Sequence, residues 1–433
     1  MTVIGTGYLG ITHAACMAEL GHEVLGVDID SDKVRQLNAG ILPIFEEGLD
    51  ELLRRGLASG KLRFTTAYPE AAAFGDVHFL CLGTPQRPGE YRADVSQLDA
   101  AIEALAPHLR RDSLVVGKST VPVGTAERLA DRLTGLAPPG VRVDLAWNPE
   151  FLREGFAVED TLRPDRIVIG ARSEYADRVL RDLYAPLGDI PTLTVGYTTA
   201  ELVKVAANAF LATKISFINA MAEVCEATGA DVVQLSRALS YDTRIGGRFL
   251  HPGVGFGGGC LPKDIRAFMA RADELGVGEA LTFLREVDAI NLRRRSRTVT
   301  LARELLGGSF DGARVAVLGA AFKPNSDDIR DSPALDVATA IQDEGGRVSV
   351  YDPAALDNAR KARPALDYAD SALAAATGSS VVLLLTEWSE FVGLDRGPLG
   401  AVVARRNIVD GRNVLDPVAW RSAGWQYRAP GRP

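Results

Sequence analysis

The opening stretch MTVIGTGYLGITHAACMAELGHEVLGVDID, residues 1–30, decides the fold. A short β-rich run leads into Gly5-Thr6-Gly7-Tyr8-Leu9-Gly10, an apolar-periodic helix follows and closes at Gly21, and a second strand ends at Asp28. Gly5, Gly7 and Gly10 spell G-x-G-x-x-G between strand and helix. The first glycine permits a tight turn, the second lets the backbone approach a pyrophosphate, and the third allows close helix–strand packing. The helix N-terminus then faces the phosphates. Three glycines alone would serve any tight turn. Asp28, at the end of the next strand and at the expected remove of about 20 residues, supplies the dinucleotide context. A carboxylate there accepts the adenine-ribose hydroxyls and repels a 2′-phosphate, which favours NAD. Lys33 and Arg35 close by keep NADP open.

Further strands are expected at VHFLCLG (77–83), SLVVGKST (113–120) and VDLAWNP (143–149). Strands alternating with helices imply a parallel sheet covered on both faces. The texture changes at TTAELVKVAANAFLATKISFINAMAEVCEATGAD (198–231), which carries no strand signal and has Gly229 as a helix stop. A second helical stretch covers residues 278–308. From Ala313 the α/β texture returns in ARVAVLGAAF, GRVSVYDP and SSVVLLLTEW, an echo of the first unit, and the tail RAPGRP reads as a frayed end. The expectation is an α/β chain of two Rossmann-like parallel-sheet domains joined by a central long-helix segment. Its parts are 1–197 for the dinucleotide, 198–307 as a helical dimerisation segment carrying a cysteine loop, and 308–433 for a second ligand.

The 433 residues are too many for one core. A formal charge of −8 argues against nucleic acid and anionic membranes as partners, though not against a small anionic ligand. The four cysteines, Cys16, Cys81, Cys225 and Cys260, form no CxxC pair and no zinc spacing to a histidine, so no metal is expected. So few cysteines in so long a chain point to a reducing compartment. With no basic leader and no apolar run approaching ~18 residues, the expectation is a soluble, cytoplasmic protein. Arg293–Arg295 with Arg297 read as a solvated helix face. His13 and His22 lack a metal-spaced partner.

Chemistry concentrates in three pairs spaced by four. In GVGFGGGCLPKD (253–264), Cys260 precedes Asp264 by one turn, and Pro262 suits a first helical turn. Cys260 then sits at a helix N-terminus with Lys263 nearby, both favouring thiolate, and the flanking glycines would let a substrate come close. The other three cysteines read as small buried hydrophobes. Lys204 and Asn208 share a helix face, where a lysine either snorkels to solvent or stabilises an oxyanion. Glu150 and Glu154, just after a strand, are candidate bases or solvated surface glutamates.

Together the blocks GTGYLG, VDID, LGTP (82–85), KSTVPVGT (118–125), NPEFLREG (148–155), ELVKVAANAF (201–210), RIGGRFLHPGVGFGGGCLPKD (244–264), FKPNSDDIRDSP (322–333) and DGRN (410–413) resemble the UDP-glucose/GDP-mannose dehydrogenase family nearly end to end. The resemblance implies a homodimer and a four-electron oxidation of a nucleotide-diphosphate glucose at C6, with two NAD⁺ consumed and a Cys260 thiohemiacetal and thioester on the way. By the same resemblance, Lys204 and Asn208 stabilise the oxyanion, Asp264 and Thr120 order water or relay the proton, and Glu150 activates hydrolysis. Thr84, Glu154, Lys263 and Arg330 join the NAD set. Glu150, Phe151, Leu152, Lys204, Asn208, Phe249, Leu250, His251, Gly257, Lys323 and Arg412 surround the sugar nucleotide, with Arg244 contributed by a neighbouring subunit. Three positions depart from the family pattern: Gly259 where relatives commonly have serine, the stretch Thr12–Ala14, and His251 in the base pocket. The RIG…FL block favours the UDP-glucose branch but does not separate uracil from thymine. A dTDP-glucose, GDP-mannose or UDP-N-acetylhexosamine substrate, a two-electron β-hydroxyacid-type reaction, and a non-catalytic NAD-binding role remain the alternatives.

Overall fold

The structure, a computed structural model, describes residues 1–433. The chain divides into two compact units, residues 1–207 with 266–276, and 208–265 with 277–433. The first unit holds an eight-stranded sheet: β1 (Thr2–Ile4), β2 (Val24–Val27), β3 (Leu62–Thr65), β4 (Val77–Leu80), β5 (Ser113–Gly117), β6 (Val143–Trp147), β7 (Ile167–Ala171) and β8 (Thr192–Val195). Its order is β3-β2-β1-β4-β5-β6-β7-β8. Every pair is parallel except β6–β7, so the sheet is parallel-dominated, as expected of a Rossmann-like domain. The second unit holds β9 (Arg314–Leu318), β10 (Arg347–Tyr351), β11 (Asp367–Tyr368), β12 (Val381–Leu384), β13 (Asn407–Asp410) and β14 (Gln426–Arg428), all parallel, in the order β11-β10-β9-β12-β13-β14. Each sheet thus repeats the doubly wound order in which the winding reverses beside the first strand. Ligands bind at that switch, outside the carboxyl ends of the strands.

The central strands read as near-continuous apolar runs because both faces are covered. Val3, Leu114, Val116 and Ile169 face one core of the first unit, while Ile4, Leu80, Val115 and Leu145 face the other. Val315–Leu318, Val381–Leu384 and Ile408–Val409 anchor the core of the second unit.

Two helices carry the central region. Tyr197–Thr228 stops where Gly229 takes φ +75°, and Thr282–Leu305 stops before Gly307 and Gly308. By length and composition, Tyr197–Thr228 is apolar enough to cross a membrane, which corrects the expectation that no segment approaches that length. Its most apolar 18-residue window reaches the mean hydropathy of a span, and 44% of that window is buried in the protein. One such helix is weak evidence for a membrane, because the core helix of a globular protein has the same character.

Two further expectations are overturned. Arg294 and Arg295 are not on a solvated face: they are 0% and 6% exposed. Arg294 meets Glu226 at 3.2 Å, and Arg295 reaches Asp331 at 2.8 Å and the Phe256 carbonyl at 3.1 Å. Buried charge is tolerated there because it is paired. The tail is docked rather than frayed. Gly431 N donates to Glu226 at 2.9 Å, Gly431 O accepts from Val232 N at 2.9 Å, and Arg432 meets Asp231 at 3.2 Å.

Candidate active site

The candidate residues fall into a group on each unit. On the first, the three motif glycines do three different things. Gly5 turns at φ +89° and touches the loop after β4, where an added Cβ would stand 2.8 Å from the Cys81 carbonyl oxygen. A Cβ on Gly10 would overlap the Gly5 carbonyl, whereas one on Gly7 would meet nothing within 4 Å. Gly7 is also the N-cap of helix Tyr8–Glu19, which has no side-chain cap and no acidic residue in its first turn. Space above Gly7 and uncapped amides together suit a diphosphate. Asp28 follows β2. Its Oδ2 accepts from Thr6 N at 3.0 Å, Thr6 Oγ1 at 2.7 Å and Lys33 Nζ at 2.9 Å, and its Oδ1 accepts from Asp30 N at 3.0 Å. Burial pushes this carboxyl up, but those hydrogen bonds outweigh it and hold it below the usual range. Asp28 is therefore ionised and fixed to the glycine turn. Lys33 is engaged by Asp28, so its charge is balanced within the protein.

The loops after β4, β5 and β6 converge at the carboxyl edge. Thr84 Oγ1 donates to the Thr120 carbonyl at 2.7 Å, and Ser119 Oγ donates to the Leu82 carbonyl at 2.6 Å, stitching the first two loops together. After β6, Glu150 Oε2 accepts from Leu152 N at 2.5 Å while Oε1 lies 2.9 Å from Lys204 Nζ. Both side chains are nearly buried, at 12% and 6% exposed, so Lys204 does not snorkel to solvent and Glu150 is not a solvated glutamate. The Phe151 ring lies 5.7 Å from Lys204 Nζ. Glu154 sits partly buried four residues on. No motif or spacing marks Glu46, whose carboxylate accepts from Gly155 N at 2.6 Å and Ala157 N at 2.7 Å and meets the Tyr8 hydroxyl. It ties the loop bearing Glu150 and Glu154 to the glycine-loop helix.

On the second unit, helix Leu261–Glu274 begins one residue after Cys260, whose carbonyl accepts from Asp264 N at 2.9 Å. Cys260 is exposed, and Cys16, Cys81 and Cys225 are buried. Burial pushes the Cys16 and Cys81 thiols up to about 12, so they stay protonated. Asp264 is 2% exposed and accepts from Asn208 Nδ2 at 2.6 Å and Lys263 Nζ at 2.5 Å. Lys263 is thus balanced by Asp264.

At the glycines before Cys260, the space that a side chain would take is filled by the protein itself. A Cβ on Gly257 would overlap the Asp331 carbonyl, one on Gly258 would stand 2.7 Å from the Phe322 ring, and one on Gly259 would overlap the Arg330 guanidinium. The loop is glycine-rich where it packs closely against the Asp331 backbone and the Phe322 and Arg330 side chains. Arg330 is anchored by Asp328 at 2.6 Å, and its carbonyl accepts from Gly258 N at 2.8 Å. Arg412 donates to the carbonyls of Leu385 (2.6 Å), Phe322 (2.9 Å) and Gly255 (3.2 Å), clamping the ends of β9 and β12 to the cysteine loop. Lys323 lies beside Phe322 at 5.2 Å from the ring. Phe249 holds φ +64°, a strained value for an aromatic residue. The Leu250 side chain is packed in an apolar cluster with Ile218 and Ala222, so it offers a ligand only its backbone. His251 is exposed, and Arg244 is 88% exposed and held by Asp242.

Residues 1–188, 198–293 and 316–417 match the NAD binding, central and UDP binding domains of the UDP-glucose/GDP-mannose dehydrogenase family. The chain belongs to that family.

The UDP-glucose 6-dehydrogenase of Rhizobium meliloti is 42% identical over 100% of this chain and 99% of its own. A UDP-glucose dehydrogenase from Pyrobaculum islandicum superposes with a TM-score of 0.92 at 39% identity, covering 100% of this chain and 97% of that one. A UDP-D-ManNAc dehydrogenase from Pyrococcus horikoshii gives 0.86 at 30%, covering 100% and 99%. As a member, this dehydrogenase uses NAD and acts on a nucleotide sugar. Its second sheet repeats the order of the first, but the counterpart of Asp28 is spent. Asp352 Oδ2 accepts from Ala320 N (2.7 Å), Ala321 N (3.0 Å) and Trp388 Nε1 (3.1 Å), and Oδ1 accepts from Ala354 N and Ala355 N at 2.9 Å. It is 1% exposed, so no lone pair is left for a ribose, and the dinucleotide chemistry belongs to the first sheet.

Proposed function

We propose that this dehydrogenase oxidises UDP-glucose at C6 to UDP-glucuronate in two NAD-linked steps, with Cys260 as the covalent nucleophile. The observation that carries the reading is the contrast among the cysteines. Cys260 alone is exposed, it stands at the start of a helix, and one turn below it a buried carboxylate is held between Asn208 and Lys263. NAD, when bound, accepts a hydride in each oxidation. The chain supplies the rest. The C6 hydroxyl proton leaves through water ordered by Asp264 and Thr120, while Lys204, whose ammonium pairs with Glu150, stabilises the alkoxide, and Asn208, one turn along the same helix, assists it. The Cys260 thiolate adds to the aldehyde carbon, and the oxyanion of the thiohemiacetal is met by Lys204. Loss of the second hydride leaves a thioester. Water held by Asp264 and Thr120 and activated by Glu150 then cleaves it, releasing the uronate and the thiolate. A thiolate suits both halves, because it attacks readily and leaves readily.

Gly5, Gly7, Gly10 and Asp28 hold NAD, with Lys33, Thr84, Glu154, Lys263 and Arg330 flanking it. Phe151, Leu152, Phe249, Leu250 (through its backbone), His251 and Gly257 line the nucleotide sugar with Lys323 and Arg412, and a neighbouring subunit contributes Arg244. Segments 1–197, 198–307 and 308–433 divide the work as NAD domain, dimerisation segment and sugar-nucleotide domain. We place the enzyme in the cytoplasm as a homodimer, where a reducing environment keeps Cys260 in the thiol state. NADH formation with UDP-glucose, dTDP-glucose, GDP-mannose and UDP-N-acetylglucosamine, measured side by side, tests the substrate. The highest kcat/KM is expected with UDP-glucose, and a tenfold preference for another nucleotide sugar would refute that assignment.

A further inference from the structure

Lys118 follows β5 directly and is 8% exposed. Its Nζ donates to Asn148 Oδ1 at 2.9 Å and to the Tyr184 hydroxyl at 3.3 Å, and lies over the rings of Phe79 (5.9 Å) and Tyr184 (5.7 Å). The Tyr184 hydroxyl donates to the same Asn148 oxygen at 2.6 Å, and Asn148 Nδ2 donates to the Val168 carbonyl at 2.8 Å. These partners are neutral. A buried ammonium held by neutral groups costs stability, and a methionine of similar reach would fill the same space. Asn148 lies two residues before Glu150, so this network fixes the turn that aims Glu150 at Lys204.

The groups facing Lys118 come from every element around it. They are Cys81 after β4, Glu150 after β6, Lys204 on helix Tyr197–Thr228, Tyr184 on helix Glu174–Tyr184 and His13 on helix Tyr8–Glu19. Burial lowers Lys118 to about 8, with Cys81 and Glu150 pulling it back up and Lys204 pushing it down.

We propose that Lys118 is a positioning residue for the oxidation. Its ammonium fixes Asn148 and the turn to Glu150, and its charge acts on the Glu150–Lys204 pair. The proposal rests on the reading that Lys204 stabilises the substrate oxyanion and Glu150 activates hydrolysis. It accounts for a charge kept where an apolar residue would be more stable, a frequent signature of functional sites.

The test is Lys118→Met, with UDP-glucose turnover measured across pH and thermal unfolding measured alongside. Expected are a kcat lowered about tenfold or more, KM values for both substrates within about twofold of wild type, and an unfolding temperature that is not lowered. Wild-type kcat should decline above about pH 8 as Lys118 loses its proton, and the variant's low kcat should lack that limb. The unfolding data carry an independent signature. The folded-state value of about 8 lies below the unfolded value of about 10.4, so between them the unfolded chain binds more protons. Wild type therefore gains stability relative to the variant as pH rises through that window. A variant that turns over within twofold of wild type, or one whose kcat, KM and unfolding temperature worsen together, overturns the proposal. Should Lys118→Met fail to fold, Tyr184→Phe decides. It keeps the ammonium and removes the hydroxyl shared with Asn148, and is expected to lower kcat about threefold at unchanged KM, whereas an unchanged kcat overturns the proposal. Failure of the substrate reading is seen in wild type itself, which would then yield no NADH from UDP-glucose.

Discussion

Gly7 and Gly257 lack a side chain for opposite reasons. A Cβ on Gly7 points into empty space at the helix start, and its φ of −73° suits any residue. One on Gly257 would overlap the Asp331 carbonyl and stand 2.7 Å from Pro333 Cδ, and neither atom ends a flexible chain. Gly7→Ala is therefore expected to leave unfolding within about 1 kcal/mol of wild type while raising the KM for NAD about tenfold or more. Gly257→Ala is expected to lose about 1–3 kcal/mol, because the backbone must shift. Thermal unfolding without ligand and NAD titration of both variants check this, and equal destabilisation would contradict it. Gly259 falls between the two, since the atoms its Cβ would displace belong to the movable end of Arg330. At this scale the chemistry-bearing residues were legible. Cys260 with Asp264 and Lys204 with Asn208 sit at helical spacing, and G-x-G-x-x-G with Asp28 has one physical meaning. Their partners were not. Nothing in the chain order brings Glu46 to Gly155 or Lys118 to Tyr184, because those contacts exist only once the sheet has formed.

Helix Tyr197–Thr228 shows what an element can say about partners. Phe210, Phe217 and Val224 recur every seven residues and are 67%, 49% and 53% exposed, an apolar stripe along one face. A monomer rarely leaves such a stripe in water, whereas a second copy packed against it would cover it. Light scattering is expected to give the mass of two chains for wild type and of one for Phe210→Asp with Phe217→Asp. A dimer that survives both changes would contradict this use of the face. The long helices were legible in sequence because their length and glycine stops leave little ambiguity, and the central apolar strands because both their faces are covered. Short edge strands such as β8 and β11 were missed, having too few residues to show a period. The buried arginines of helix Thr282–Leu305 were misread because a charged run looks alike whether its partners are solvent or the carboxylates of Glu226 and Asp331.

Across the whole molecule the same strand order is built twice and put to two uses. In the first sheet the acidic residue after the second strand is held by the glycine turn and keeps 9% exposure, whereas in the second it is sealed at 1% under Trp388. The echo between the two halves was readable as repeated strand texture. The divergence was not, because it depends on where one indole nitrogen points. The proposed two-step oxidation requires that, at one dinucleotide site, cofactor exchanges while the sugar stays attached to Cys260. The most direct test is the number of NADH formed per UDP-glucose consumed, for wild type and for Cys260→Ala. The expected result is two for wild type with UDP-glucuronate as product, and no net oxidation to the uronate in the variant. One NADH per sugar with release of the aldehyde, or full turnover without Cys260, would contradict it.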